Sequence, residues 1–238
     1  MCRTIYKGIT IRHLVTHSNG LPMLNGKVIK EFEAGTKWAY RGINVELISV
    51  IIQSTTQKTI AEILQDEVFT PLQFTETNWY NTFDDTFVEV IGAESNKHWS
   101  ASKNIDGSKM NMYVSARELA KWGLLHLNKG VMNDEQVIDP AILKLATTLQ
   151  NPSFENVDTP ENGIFWFVKS SQAKKSEIGP LVPNGAFQIL GYTTVTLLVI
   201  PSENIVAVRA FNSFGNPEGY DYLKDVRDFG DKIILDLK

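Results

Sequence analysis

The chain has 238 residues, 43% of them hydrophobic and 21% charged, which suits a globular protein with a sizeable core and excludes a disordered or fibrous one. With 23 Lys and Arg against 27 Asp and Glu the net charge is −4, and no basic run gathers positive charge, so nucleic acid and anionic membranes are poor partners. The single cysteine, Cys2, excludes an intrachain disulfide and has no companions at metal-ligand spacing.

The first twenty residues carry Arg3, Lys7 and Arg12 and lack the apolar stretch of an export signal, so the chain as written is expected in the cytoplasm. The apolar run over 195–200 is far below the ~20 residues that cross a bilayer, and no membrane segment is expected. Thr10 is placed to cap a short helix over 11–17 that leaves through Ser18-Asn19-Gly20. Asn44 reads as the N-cap of a helix carrying Val45, Leu47, Ile48, Ile51 and Ile52, and Thr59-Ile60-Ala61-Glu62 as a capping box opening another that Pro71 closes.

Residues 83–106 are polar and without a sustained period, which predicts a long surface excursion. Ser115-Ala116-Arg117-Glu118 forms a second capping box, ahead of an apolar face of Leu119, Ala120, Gly123, Leu124 and Leu127 that Gly130 ends. Asp139 and Pro140 open a further helix through Ile142, Leu143 and Leu145. After Pro160 the pattern changes to short strands over 164–169, 186–190, 194–200 and 205–211, with Pro201-Ser202-Glu203-Asn204 turning an antiparallel hairpin. An amphipathic helix over 220–237 closes the chain. The expectation is a single α+β domain over 1–238, with a helical part over about 10–150 and an antiparallel sheet with its closing helix over about 160–238.

Several runs resemble one family. Ile9-Thr10-Ile11-Arg12-His13-Leu14-Val15-Thr16-His17-Ser18-Asn19-Gly20-Leu21-Pro22 is similar to the "ITIRHLLTHTSGLP" of the class C-like, β-lactamase-related branch of the serine β-lactamase and penicillin-binding-protein superfamily. Phe32-Glu33-Ala34-Gly35-Thr36-Lys37-Trp38-Ala39-Tyr40 resembles its "F-x-P-G-T-x-W-x-Y" approach to a catalytic tyrosine. The stretch from Val114 to Gly123 resembles its "STA-x-DLAKFG" helix, and Gly191-Tyr192 resembles the end of its third motif. The resemblance implies a β-lactamase/transpeptidase-like fold, no cofactor, and hydrolysis of a small-molecule or peptide amide or ester through an acyl-serine.

By that resemblance Tyr40 is the candidate catalytic base, and Leu190, Gly191 and Tyr192 line the substrate, with the N–H of Tyr192 facing an oxyanion. The pattern is incomplete. Arg41 and Gly42 follow Tyr40 where the family has Ser and Asn, and Ile189 and Leu190 stand where it has Lys or His and Thr. Its S-x-x-K motif lies well upstream of the first run, whereas this chain begins eight residues before Ile9, so the domain is expected to be truncated at its N-terminus. Ser100-Ala101-Ser102-Lys103 and Ser171-Gln172-Ala173-Lys174 fit the string, but with 14 serines and 17 lysines about one match is expected by chance, and neither opens an apolar helix.

Other constellations read more simply as structure. His13 and His17 are four apart but lack the glutamate of H-E-x-x-H, and His17-Ser18 are neighbours that point apart on a helix end. Asp221, Asp225, Asp228 and Asp231 fall beside Lys224, Arg227 and Lys232, as on a solvated helix face. No metal site is expected. Besides the hydrolase, two readings stay open: a non-catalytic protein that binds a peptide or cell-wall fragment, and a fragment with no autonomous role. Dimerisation through an exposed sheet edge is the expected self-association.

Overall fold

The structure, a computed structural model, describes residues 5–82, 89–91, 104–109, 112–156, 158–170, 176–191, 195–210, 213–215 and 218–237, with the backbone alone for 89–91 and 213–215. Most of the polar excursion over 83–106, and both S-x-x-K strings, lie outside these residues.

Helix α1 (Ile11–Val15) forms where Thr10 predicts it. The Thr10 hydroxyl accepts from the His13 N–H, while His13 Nδ1 accepts from the Thr10 N–H, so an imidazole completes the capping box. Helix α2 (Ile43–Thr56) departs from expectation at its start. Its cap is Gly42, and Asn44 lies inside the first turn with its side chain fully buried. A buried amide must find partners, and Asn44 finds them in α1 and the loop after it rather than on its own helix end.

Helix α3 (Ile60–Leu64) carries the predicted Thr59–Glu62 box and continues into a π turn over Gln65–Phe69, ahead of Pro71. Helix α4 (Ala116–Leu127) is capped by Ser115, but only half of the expected box is made. Instead of returning to Ser115, the Glu118 carboxylate accepts from the Thr75 and Glu76 N–H groups and the Thr77 hydroxyl. It is buried, and three donors serve it better than one; these bonds outweigh burial and hold its pKa below the usual value. Helices α5 (Pro140–Ala146), capped by Asp139, and α6 (Tyr222–Asp236), capped by Asp221, follow the sequence closely.

Four strands form an antiparallel sheet: β1 (Phe167–Val168), β2 (Phe187–Leu190), β3 (Thr196–Ile200) and β4 (Ile205–Arg209), in the order β4-β3-β2-β1. Leu198 sits opposite both Ala207 of β4 and Gln188 of β2. The strand expected from residue 164 is cut to two residues because Phe165 takes φ +59°. A 3-10 turn over Pro201–Glu203 with Asn204 at φ +57° joins β3 to β4.

Alternation along β3 divides the core between two helices. Leu197 and Val199 face α4 with Leu119, Trp166 and Phe187, while Leu198 and Ile200 face α6 with Ile178, Val182 and Ile234. A third cluster joins Val68, Phe69, Leu72, Phe74 and Trp79 to Leu125 of α4. The result is the expected α+β arrangement, with helices on both faces of the sheet. The acidic run on α6 is more than a solvated face: Asp221 caps the helix, Asp225 binds Arg209, and Asp231 accepts from the Leu181 N–H. Among the described residues no helix is long and apolar enough to cross a membrane.

Candidate active site

Tyr40 is delivered by a segment that runs back along the end of α1. The Gly35 N–H donates to Ser18 O at 2.8 Å and the Ala39 N–H to His17 O at 2.9 Å, so the approach to Tyr40 is stitched to the His17-Ser18 loop. That lays the Tyr40 ring over the His17 imidazole, with centroids 4.6 Å apart and planes 30° from parallel. Trp38 and Phe165 meet the same imidazole edge-on at 6.0 and 5.6 Å.

The platform under Tyr40 is held in an unusual backbone. His17 takes φ +57° and Phe165 φ +59°, a region a bulky residue occupies only where its surroundings force it. For Phe165 the anchor is its N–H, which donates to Val15 O at 3.0 Å. For His17 it is Asn44: the amide Nδ2 donates to Leu14 O and to His17 Nδ1, both at 3.0 Å, and Asn19 Nδ2 donates to Asn44 Oδ1 at 2.7 Å. With Nδ1 accepting, the His17 proton sits on Nε2. Burial pushes its pKa down to about 4, so the ring under Tyr40 is neutral at neutral pH. Below it Trp38 Nε1 donates to the buried Asn162 Oδ1 at 2.7 Å, which fixes the indole.

Tyr40 itself is 54% exposed, open to a ligand from above. The part of its side chain turned inward is desolvated enough to raise its pKa, and no cation counters this among the described residues. Its neighbour Arg41 is paired with Glu31 at 2.6 Å. Tyr222, at the start of α6, is pushed up to about 12, first by burial and then by the nearby Glu177 and Tyr40. Burial likewise drives Glu177 up to about 7, and its Oε2 has no hydrogen-bond partner among the described residues. The surroundings of Tyr40 therefore disfavour negative charge.

The other predicted site residues fall as follows. Leu190 ends β2 and packs against the α6-side cluster, which Trp38 also borders; this cluster ties the Tyr40 segment to the β2 end. The Gly191 N–H donates to Val195 O at 2.8 Å, closing the turn between β2 and β3. Tyr192 lies outside the described residues, as do Ser100, Lys103, Ser171 and Lys174. Ser18 is fully buried with its hydroxyl against Thr16 Oγ1 at 3.0 Å, out of a substrate's reach. His13 and His17 serve separate ends of α1 and do not converge.

The sequence marks His17 only as a neighbour of His13 and Ser18, and Phe165 not at all. For His17 a signal existed in the following Ser-Asn-Gly, which marks a chain reversal where positive φ is cheap for its neighbours. For Phe165 the apolar run over 164–169 pointed the other way, toward a plain strand.

Residues 3–230 match the family model described as Beta-lactamase. The chain belongs to the β-lactamase family. An uncharacterized protein of Alkalihalophilus pseudofirmus is 53% identical over 233 residues, covering 98% of this chain and 69% of that protein. Among solved structures, a β-lactamase from Mycobacterium bovis is similar with a TM-score of 0.69 at 16% identity, over 97% of this chain and 75% of the other. A β-lactamase/D-alanine carboxypeptidase from Yersinia pestis, complexed with citrate, gives 0.65 at 15%, over 95% and 69%. At such identities the likeness to the solved structures is one of fold.

Proposed function

We propose that this chain forms the binding walls and the tyrosine base of a serine hydrolase for an amide or ester, and that the acylated serine and its lysine are not among its residues. A seryl hydroxyl attacks a carbonyl only when a base takes its proton, and the developing oxyanion needs N–H donors aimed at it. Tyr40 has the position for the base: half-exposed, rigidly backed by His17, and two residues from Trp38, which borders the cluster that Leu190 packs against. Leu190 and Gly191 form the opposite wall, and the Tyr192 N–H serves the oxyanion.

The observation that carries this reading is the placement of Tyr40, half-exposed and stacked on His17 by a segment bonded to the His17-Ser18 loop. A phenol near ~10 must come down to about 7 to act as a base at neutral pH, which takes about 4 kcal/mol of favourable interaction with its anion. Around Tyr40 burial acts the other way and raises the pKa. A lysine ammonium brought beside the hydroxyl would supply the missing charge, and a serine on the same helix turn would supply the nucleophile. Until both are brought in, the chain is expected to bind without turnover.

Activity-based labelling tests this. The chain alone, treated with a fluorescent penicillin and with a fluorophosphonate, is expected to take up neither covalently. Stoichiometric labelling at Ser100, Ser171 or Ser18 would overturn the assignment.

A further inference from the structure

Four Asn-Gly pairs occur in the sequence, at 19–20, 25–26, 162–163 and 184–185. In this dipeptide an asparagine side chain is open to attack by its own backbone, because glycine has no Cβ to shield the nitrogen that follows the asparagine carbonyl. The glycine nitrogen, having given its proton to hydroxide, bonds to the asparagine Cγ and closes an imide ring, and the Cγ–Nδ2 bond breaks to release ammonia. Water then opens the imide at either carbonyl, leaving an aspartate or a β-linked isoaspartate. Water is taken up and ammonia is lost, with nothing oxidised or reduced.

The fold treats the four pairs unequally. Asn19 and Asn162 are buried with both atoms of the side-chain amide engaged. Asn19 Oδ1 accepts from the Leu21 N–H at 2.8 Å and its Nδ2 donates to Asn44 Oδ1, while Asn162 Oδ1 accepts from Trp38 Nε1 and its Nδ2 donates to Trp166 O. The Gly163 N–H is held as well, donating to Trp166 O at 2.9 Å. Asn184 is exposed, but the nitrogen that would attack it is engaged, since the Gly185 N–H donates to Lys169 O at 2.8 Å. Asn25 is exposed too, and among the described residues neither its side-chain amide nor the Gly26 N–H has a partner.

The turn that presents Asn25 is also free to deform. Met23–Leu24 and Lys27–Val28 form a short antiparallel hairpin, Leu24 opposite Lys27, with Asn25 at φ +49° and Gly26 at φ +71°. Of its strand residues only Val28 is half-buried, and the hairpin contributes to none of the three core clusters. An isolated pair of such strands opens at little cost, which lets the Asn25 Cα–C bond turn until the glycine nitrogen meets Cγ. We propose that Asn25 is a site of self-modification, where the chain converts an asparagine to a mixture of aspartate and isoaspartate while the fold protects Asn19, Asn162 and Asn184. Conversion adds a negative charge to a chain of net charge −4. Isoaspartate also adds a carbon to the backbone between Leu24 and Lys27, which a two-residue turn does not accommodate. The modification goes beyond the hydrolase reading and does not depend on it.

The test incubates the intact chain at mildly alkaline pH and follows each Asn-Gly pair by peptide mapping, reading the amide-to-acid mass shift and the separate elution of the isoaspartyl peptide. In the folded chain Asn25 is expected to convert about tenfold or more faster than each of the other three. In urea, where no backbone N–H is held and every side chain is open, the four rates are expected to converge to within a few-fold of one another. Gly26→Ala sets a methyl beside the attacking nitrogen, where the fold offers it no contact, and is expected to slow conversion at Asn25 about tenfold; because an alanine at positive φ strains the turn, this variant is read in urea. Asn184 keeping pace with Asn25 in the folded chain overturns the proposal, and so does conversion at Asn25 no faster than at Asn19 and Asn162. The same preference for Asn25 persisting in urea overturns it as well, since that places the selectivity in the local sequence and not in the fold.

Discussion

Helices α4 and α2 have nearly the same length, and they use their apolar residues in opposite ways. Helix α4 sets Leu119 and Gly123 on the sheet and Leu125 into the cluster beneath α3, with Glu118 buried against the Thr75–Thr77 loop and Arg117 left in the open. A Cβ at Gly123 would stand 2.6 Å from both Leu197 and Val206, which measures how closely that helix sits on β3 and β4. Helix α2 is richer in aliphatic residues and buries fewer of them. Apolar content thus marks what a helix is built to contact, and only periodicity says how many sides have to be covered.

The sharpest way to break the comparison is to cut into the finished helix. Leu125 is fully buried between Phe69, Leu72 and Trp79, and Leu125→Ala removes that packing while leaving a cavity. The expected loss is about 2–5 kcal/mol, read as a lower urea midpoint at unchanged m-value. A loss within that of an exposed leucine would show that α4 is no better packed than α2.

Next in size is the dependence on acid. His126 of α4 lies among Trp122, Trp166 and Phe187, and burial pushes its pKa down to about 4; His17 beneath Tyr40 is pushed to the same value. A histidine held neutral in the fold and ordinary when unfolded contributes stability that is complete above about pH 6.5 and is lost as the pH falls toward 4. Each contributes on the order of 3 kcal/mol at full effect. Glu177, raised to about 7, works in the opposite sense, favouring the fold at low pH and losing that contribution between about 4.5 and 7. Two histidines outweigh one glutamate, so the urea midpoint is expected to fall between pH 7 and 5. His126→Phe keeps the ring contacts and leaves one histidine against one glutamate, so it is expected to remove most of that fall; an unchanged slope would mean that burial does not hold His126 neutral in the fold.

The same contrast explains what the sequence reveals. Most caps, the β3–β4 turn and the closing helix are written locally, in side chains that bond within four residues or repeat at a fixed period, whereas the face of α4 is read only in part, since Leu124, placed on it, is exposed and Leu125 is the buried one. What escapes is set by partners distant in sequence. Glu118 completes a capping box on paper and instead serves Thr75, Glu76 and Thr77, forty residues back. Asn44 reads as a cap and is the hinge of the His17 network. Tyr40 is marked as a candidate by its family-like approach sequence, whereas the imidazole it rests on is not, because stacking across twenty-three residues leaves no periodic trace. The strand ends at Leu190 where the sequence put its end, and the Gly191 N–H closes on Val195 O.

The smallest expected effect sharpens the comparison most. Val50 is the most exposed large apolar side chain of α2, so Val50→Lys in the chain alone removes little buried surface and replaces a β-branched residue by a better helix former. The two contributions nearly cancel or favour the variant, and the melting temperature is expected to move by no more than about 0.5 kcal/mol implies. A loss of about 2 kcal/mol or more would mean instead that Val50 is packed as the buried leucines of α4 are, because only a buried side chain carries that much on truncation or charge.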